Sequence, residues 1–332
     1  MPVSVSVVLP VWNAESTVER AIRSVLQQSM SSFELIVVDD GSSDQTPNIL
    51  TQIADERLHV VRTEHQGVAA AANIGTQHAQ ANIIARMDAD DIAHPDRLAC
   101  QWKYLQDHNR DVVGSRIDIA STAGALTDGM KRYQRWINEE TATAQQIHSL
   151  RFVELPLVNP SIMAKRAYFQ MRFADNDFPE DYDLMLRAVE LGIKCGKTPE
   201  TLLTWTDSPD RLTRTNARYS DDAFMDCRRF YLLNGPLLET TTVDLWGAGQ
   251  TGKPWLRWLQ NHTRTVRKVI DVSKRKQGQT IHNVSVVAPE DIAPPDGTPM
   301  IVAVGADGAR KLIADFVTEH GYQVGRDVWF VA

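Results

Sequence analysis

From its amino terminus the chain alternates short β-branched runs with amphipathic stretches. Val3 to Leu9 interleaves valine with serine and reads as a strand. Val18, Ala21, Ile22, Val25 and Leu26 then recur at helical spacing. Glu34 to Asp39 is a compact apolar run of the kind buried in a parallel sheet. Thr46 before Pro47 reads as an N-cap followed by proline at the first helical position. His59 to Val61 predicts a third strand, Val68 to Ala79 a helix, and Asn82 to Ala85 a fourth strand that runs into Arg86–Asp91. Pro95 opens another helix, with Leu98, Trp102 and Leu105 on one face. Strand alternating with helix predicts an α/β fold, a doubly wound and mainly parallel sheet with right-handed crossovers. Such sheets bind ligands at the carboxyl ends of their strands, so chemistry is expected there.

The middle of the chain is less regular. Asp183 to Leu191 predicts an amphipathic helix with Leu184, Met185, Ala188 and Leu191 inward, Asp183 as N-cap and Gly192 as C-cap. Tyr219 to Leu233 reads as helical and ends at Asn234-Gly235-Pro236, which places a domain boundary there: 1–235, then 240–332. The second domain starts afresh. Val243–Trp246, Val266–Asp271, Val284–Val287, Met300–Val304 and Trp329–Val331 read as strands. Thr251–Leu259 and Ala309–His320 read as helices, the latter with Leu312, Ile313, Phe316 and Val317 on one face. This predicts a smaller, Rossmann-like α/β unit.

Composition narrows the function without naming it. At 332 residues, with 43% hydrophobic and 23% charged residues, the chain is of ordinary globular make-up. A net charge of −7 argues against general nucleic-acid binding, which needs a basic face. Cys100, Cys195 and Cys227 form no CxxC and no zinc spacing, so reduced cytosol is the expected compartment. The opening residues lack the pattern of a signal peptide, and no segment approaches the roughly 20 apolar residues of a membrane span. A soluble, cytoplasmic protein is expected, with peripheral membrane association left open.

Three predicted strands of the first domain end on suggestive residues: Pro10-Val11-Trp12-Asn13, Asp39-Asp40-Gly41-Ser42 and Asp88-Ala89-Asp90-Asp91. In a doubly wound sheet these ends lie side by side and their carboxylates converge. Uncompensated, they would repel and some would protonate. A hard divalent cation, Mg2+ or Mn2+, resolves this by taking carboxylate and phosphate oxygens together. Alternation in an extended segment turns Asp88 and Asp90 to one side. Asp44 and Asp96, by contrast, read as turn and cap residues.

Pro10–Ala14, Val38–Asp44, Asn73-Ile74-Gly75 and Asp88–Asp91, in this order and spacing, resemble the family-2 inverting glycosyltransferases of the A-type fold. The resemblance covers Val3 to Leu98 and continues more weakly to Thr215. It implies a nucleotide-sugar donor held by Pro10, Val11, Trp12, Asn13, Asp39, Asp40, Asn73, Arg86, Asp88 and Ala89. Within that set Pro10 and Trp12 would bound the base, Asp40 would accept its N–H, and Asp88 would meet the ribose. Asp90 would bind the metal bridging the diphosphate. A base N–H between two carbonyls suits a carboxylate, which favours UDP or dTDP. One departure is Ala72, where the family commonly has arginine; Arg86 or the pair Arg211 and Arg214 would then supply the diphosphate contact.

The resemblance also implies that Glu180-Asp181 is the family's acidic pair, with Asp181 the general base for the acceptor hydroxyl and inversion the outcome. An acid at a helix N-terminus is held rigidly and ionised by the dipole. Trp205 to Arg214 reads as a loop over the site, with Trp205 stacking on a sugar and Arg211 and Arg214 clamping phosphate, or as a solvated loop around one packed tryptophan. Asn159 is expected to line the acceptor pocket. No Gln-x-x-Arg-Trp follows the acidic pair, which favours addition of a single sugar to a saccharide, lipid-linked or peptide acceptor.

In the second domain Gly247, Gly249 and Gly252 form a glycine-rich turn between strand and helix, and Asp271 ends the next strand at the spacing of a ribose-binding acid. A second nucleotide ligand is expected there, or else a folded appendage. Two other readings stay open: a non-catalytic nucleotide-sugar sensor, and an NAD-dependent oxidoreductase centred on residues 240–332.

Overall fold

A computed structural model of the protein describes residues 3–209 and 211–332. They form two compact units, one reaching to Ile147 and resuming over Pro156–Cys227, the other made of His148–Leu155 and Arg228–Ala332.

The first unit is built on an eight-stranded sheet: β1 (Val5–Val11), β2 (Phe33–Asp39), β3 (Leu58–Arg62), β4 (Ile83–Arg86), β5 (Ile92–Ala93), β6 (Val112–Ser121), β7 (Met163–Lys165) and β8 (Cys195–Asp207). Their order across the sheet is β3-β2-β1-β4-β7-β6-β8-β5. β3, β2, β1 and β4 are parallel, as the alternating pattern predicts. Every residue of β1 and β2 is buried, and the polar side chains within them ahead of Asp39, Ser6 and Glu34, bond each other. β7 enters antiparallel to both β4 and β6 and makes the sheet mixed. Three residues long, it carries too little periodicity to be read from sequence.

Local details depart from expectation at helix ends. The helix Thr46–Gln52 is preceded by Gln45 in the cap position; the Thr46 hydroxyl accepts instead from Ala14 N–H at 2.9 Å. Asp183 is not an N-cap. The helix Glu180–Glu190 begins after Pro179, and Asp183, one turn inside, pairs with Arg187 at 2.9 Å. Tyr219 lies in the 3-10 turn Ala217–Tyr219, and the following helix spans Asp221–Asn234.

One long-range tie fixes the loop leading to the helix Glu180–Glu190. Asn73, on the helix Val68–His78, donates from Nδ2 to Phe173 O at 2.9 Å and accepts Phe173 N–H on Oδ1 at 3.0 Å. Two residues on, Gly75 lies so close to β1 that a Cβ there would meet Val8 Cγ1 at 2.4 Å and Val38 Cγ2 at 3.2 Å.

The second unit has strands β9 (Thr242–Trp246), β10 (Thr265–Ile270), β11 (Thr280–Ile281), β12 (Val284–Val287), β13 (Met300–Val302) and β14 (Val328–Phe330), in the order β11-β12-β10-β9-β13-β14. All neighbours are parallel except the hairpin β11–β12. The unit takes up a segment remote in sequence: Leu150 joins its apolar core, and the Arg151 guanidinium lies 4.4 Å from the Phe152 ring and 4.6 Å from the Trp329 ring. The division at Arg228 falls inside the helix Asp221–Asn234, ahead of Asn234-Gly235-Pro236, and Arg228 donates to Val331 O at 3.2 Å.

Asn73→Ala strands both backbone groups of Phe173 and is expected to lower the unfolding free energy by about 1–3 kcal/mol. Gly75→Ala, which overpacks β1 against the helix, is expected to cost a similar ~1–3 kcal/mol. Chemical denaturation of both variants checks this, and a midpoint equal to the parent's in either overturns the corresponding contact.

Candidate functional site

The parallel register sets the ends of β1, β2 and β4 together. Val11 pairs with Asp39 and Val8 with Arg86, so the segments that follow each strand emerge at one edge. Asn13 adopts φ +48°, and its backbone N–H donates to the Ser42 hydroxyl at 2.9 Å while its Oδ1 accepts Ser43 N–H at 2.8 Å. These bonds knit the first strand end to the second. Pro10 and Val11 are buried within β1, whereas Trp12 is 52% exposed and stacks on His65 with centroids 4.5 Å apart.

Asp39 and Asp40 are both buried, and both serve the loops around them. Asp39 accepts Ser42 N–H at 3.0 Å and faces Arg62 Nε at 3.4 Å. Asp40 accepts Gln66 N–H at 2.9 Å and Gly67 N–H at 2.8 Å, one on each oxygen, with His65 Nδ1 2.9 Å from Oδ2. The carboxylate expected to read a base therefore also shapes the wall, His65 to Gly67, against which a base would rest. Sequence reasoning missed His65; its signal, an aromatic ring three residues before the helix Val68–His78, is weak.

The acidic strand end holds the densest charge. Asp88, Asp90 and Asp91 each offer an oxygen lying within 4.8 Å of the others. Burial first, and the charge of Asp88 second, push Asp90 up to about 6, against the pull of Arg211 and Arg20. Asp91, buried, is raised well above the usual carboxylate range by burial and then by Asp88 and Asp90. Its Oδ1 accepts Thr206 N–H at 2.8 Å, while its buried Oδ2 has no hydrogen-bond partner. An orphaned buried oxygen beside two further carboxylates is the donor set a hard divalent cation takes, so these residues fit Mg2+ or Mn2+. Asp91 adds to the expected pair, and the run of acids after β4 was its signal. Arg20 and Thr206, whose side chains bond Asp90 O at 3.0 and 2.6 Å, had none.

Several expected contacts are engaged elsewhere. Arg86 is buried and donates to Val8 O, Met87 O and Asp88 Oδ1, the last at 2.8 Å, so it orients Asp88 rather than reaching a diphosphate. Asn73 is likewise engaged within the protein, with both side-chain polar atoms on the backbone of Phe173. Ala89 sits half-buried between the acids. Asn159 is buried in the 3-10 turn Asn159–Ser161, next to Ile162, whose carbonyl accepts Arg86 N–H at 2.8 Å. Trp205 does not offer a bare ring for a sugar: the Arg211 guanidinium lies 3.7 Å over it and Tyr133 is 5.7 Å away. Arg211 in turn faces Asp90 and Asp91, whereas Arg214 pairs with Asp207 at 2.8 Å. Asp210, within this loop, lies outside the described residues.

Glu180 and Asp181 open the helix Glu180–Glu190. Burial raises Glu180, offset by the Tyr219 phenol, which donates to its Oε2 at 2.7 Å. Half-buried Asp181 is pushed up to about 8, by burial first, then by the charge of Glu180, and further by that of Asp88. The Coulombic reach to Asp88 ties this acid to the strand-end cluster.

In the second unit the glycines divide into two kinds. Gly247, at φ +123°, has no room for a Cβ, which would meet Ala303 O at 2.6 Å; at Gly252 it would meet Gly247 O at 1.8 Å. Gly249 faces open space, with nothing within 4 Å of such a Cβ. Asp271 accepts Ala248 N–H at 2.8 Å, Ser273 N–H at 2.8 Å and Lys276 Nζ at 3.0 Å. Burial alone would raise its pKa, but these donors together hold it below the ordinary value.

The sequence profile of Glycosyl transferase family 2 matches residues 6–172, just over half of the 332. The putative glycosyltransferase EpsE of Bacillus subtilis is 28% identical over 242 residues, spanning 69% of this chain and 83% of that protein. An uncharacterized glycosyltransferase of Rickettsia felis is 31% identical over 53% of this chain, but the match spans only 28% of that protein. Among solved structures, S. aureus TarS 1-349 in complex with UDP-GlcNAc has a TM-score of 0.55 at 20% identity, over 70% of this chain and 67% of that one. The mannosyltransferase PcManGT from Pyrobaculum calidifontis, in complex with GDP-Man and Mn2+, has a TM-score of 0.51 at 20% identity, over 71% and 72%. The α/β fold is thus shared with glycosyltransferases of the A type, and the chain belongs to glycosyl transferase family 2.

Proposed function

We propose that the chain transfers a single sugar, with inversion, from a UDP- or dTDP-sugar to an acceptor hydroxyl, with Asp181 as general base. The observation that carries this reading is an acid of raised basicity, Asp181, within electrostatic reach of a carboxylate cluster suited to a divalent cation. The TarS complex with UDP-GlcNAc and the PcManGT complex with GDP-Man and Mn2+ support a nucleotide-sugar donor and a metal. Relatives named for succinoglycan, teichuronic acid and a diphosphoundecaprenol glucosyl transfer support a saccharide or lipid-linked acceptor in surface-polysaccharide or glycoconjugate synthesis. A cytoplasmic site of action follows this chemistry, with peripheral membrane contact if the acceptor is lipid-linked; among the described residues no helix is long and apolar enough to cross a membrane.

The residues divide the work. Trp12, His65 and Asp40 form the surface for the base, and Asp88 meets the ribose. Asp90 and Asp91 hold the metal, which when bound stabilises negative charge on the departing diphosphate. Arg211, facing these acids, balances charge on the same side. Asp181 takes the proton of the acceptor hydroxyl as its oxygen bonds to the anomeric carbon, and the bond from that carbon to the diphosphate breaks on the opposite face.

Asp181→Asn is expected to lower kcat by about 10²–10⁴-fold while leaving UDP affinity unchanged by calorimetry. Full activity in that variant would exclude Asp181 as base, and no transfer by the parent would favour a sensor. A base must be ionised, so activity is lost as pH falls through its raised pKa. The acid limb of kcat therefore lies above the ordinary carboxylate range, and below the value of about 8 that Asp181 reaches with the charge of Asp88 uncompensated, because the bound cation offsets that charge.

Chelation of divalent metal is expected to abolish transfer, and Mn2+ or Mg2+ to restore it. Asp90→Asn is expected to weaken that restoration at least about tenfold in metal concentration. Activity unaffected by chelator contradicts the metal assignment.

A second nucleotide at Gly247–Gly252 is a separate reading, favoured by the open space at Gly249, which packing within the unit does not require. Calorimetry of the whole chain with UDP and with NADH is expected to resolve a site that Gly249→Asp removes. An isotherm identical in parent and variant for both ligands counts against it.

A further inference from the structure

The segment that follows β8 is fastened at both ends. Near its start Asp207 holds Arg214 at 2.8 Å and Arg211 at 3.8 Å. At its far end the Arg218 guanidinium donates from Nε to Phe178 O at 2.8 Å and from Nη2 to Ala174 O at 3.0 Å and to Asn176 O. These are carbonyls of the loop that leads into Glu180. Asn216 Oδ1 accepts Arg218 N–H at 2.9 Å and sets the turn from which Arg218 and Tyr219 project. The Tyr219 phenol donates to Glu180 Oε2 at 2.7 Å.

We propose that Arg218 and Tyr219 are positioning residues for sugar transfer, fixing the first turn of the helix Glu180–Glu190 so that Asp181 meets the acceptor hydroxyl in register. The inference rests on the reading of Asp181 as the base. Its ground is the geometry of the helix entry: Pro179 precedes the helix and provides no side-chain bond to its first amides, Asp181 itself accepts Tyr182 N–H at 2.8 Å, and the preceding carbonyls and Glu180 are held from the later segment. What holds the entry is the Arg218 fork on the preceding carbonyls, together with the phenol on Glu180. Arg218 suits this task because a planar guanidinium addresses several carbonyls from one fixed geometry.

Tyr219 has a second effect through charge. Glu180 faces Tyr219, Arg218, Arg86 and Asp181; Asp181 faces Glu180, Asp88, Tyr168 and Tyr219. The phenol bond favours the ionised form of buried Glu180, and that negative charge makes Asp181 more basic. Without the phenol, Glu180 keeps its proton to higher pH, the charge beside Asp181 disappears, and Asp181 ionises at lower pH.

The test uses the full chain with Mn2+ and the UDP-sugar that the parent hydrolyses, with water in place of the acceptor and UDP release as readout. Tyr219→Phe and Arg218→Lys are each expected to lower kcat by about ten- to a hundred-fold, with donor KM unchanged. In Tyr219→Phe the acid limb of kcat shifts to lower pH at an unaltered melting temperature. Parental kcat and acid limb in Tyr219→Phe would overturn the proposal. So would a loss of kcat that merely tracks melting temperature and donor KM, with the limb unmoved. Asp181→Asn, measured alongside, separates the two readings. If it stays active, the base assignment itself fails; if it is inactive while Tyr219→Phe is normal, only the positioning role fails.

Discussion

Like charge is crowded at the end of β4, where three carboxylates converge within 4.8 Å, and much of the first unit is arranged around that fact. Such a cluster is unstable alone: burial and mutual repulsion raise Asp90 and Asp91 towards protonation. The surroundings counter it with side chains drawn from distant parts of the chain. Arg86 orients Asp88 from the sheet, Arg20 reaches Asp90 O from the first helix, and Arg211 approaches from the loop after β8. The arrangement stores an affinity for positive charge that no single residue provides. Asp88 passes the influence on to Asp181, so the same crowding that readies one acid group for a cation raises the basicity of another.

Much of this was legible from local pattern. β1, β2 and β4 are short, mainly apolar runs, and the acids at the ends of β2 and β4 are adjacent in sequence to the strands that place them. A parallel register then brings the ends together without further information, which is why the strand-end carboxylates were found from sequence. The rest depends on contacts between residues far apart. Asn73 meets Phe173 across 100 positions, and Tyr219 meets Glu180 across 39. Neither pair leaves a trace in local periodicity. For the same reason the sequence pattern points Asn73 and Arg86 at a ligand and gives no sign of the bonds they make within the protein. Polar residues beside a predicted site look alike in sequence whether they face inward or out.

The second unit shows the opposite balance. Its strands and glycine turn were locally clear, but its boundary was not, because Leu150, Arg151 and Phe152 come from a stretch whose own pattern gives no hint of where it packs. Its glycines are also unequal in what they demand. In the glycine turn, Gly247 and Gly252 are forced by backbone approach within the unit, whereas a Cβ at Gly249 would meet nothing within 4 Å.

The double bond between Asn73 and the backbone of Phe173 acts as a spacer of fixed length. It joins the helix Val68–His78 to the loop that leads into Glu180 and Asp181, across 100 positions of chain. Loops between the two anchors, the acidic strand end Asp88–Asp91 excepted, can therefore lengthen, shorten or change sequence while the spacing between the helix Val68–His78 and the loop before Glu180 stays constant. A family that keeps this tie can diversify what it glycosylates without resetting how it does so.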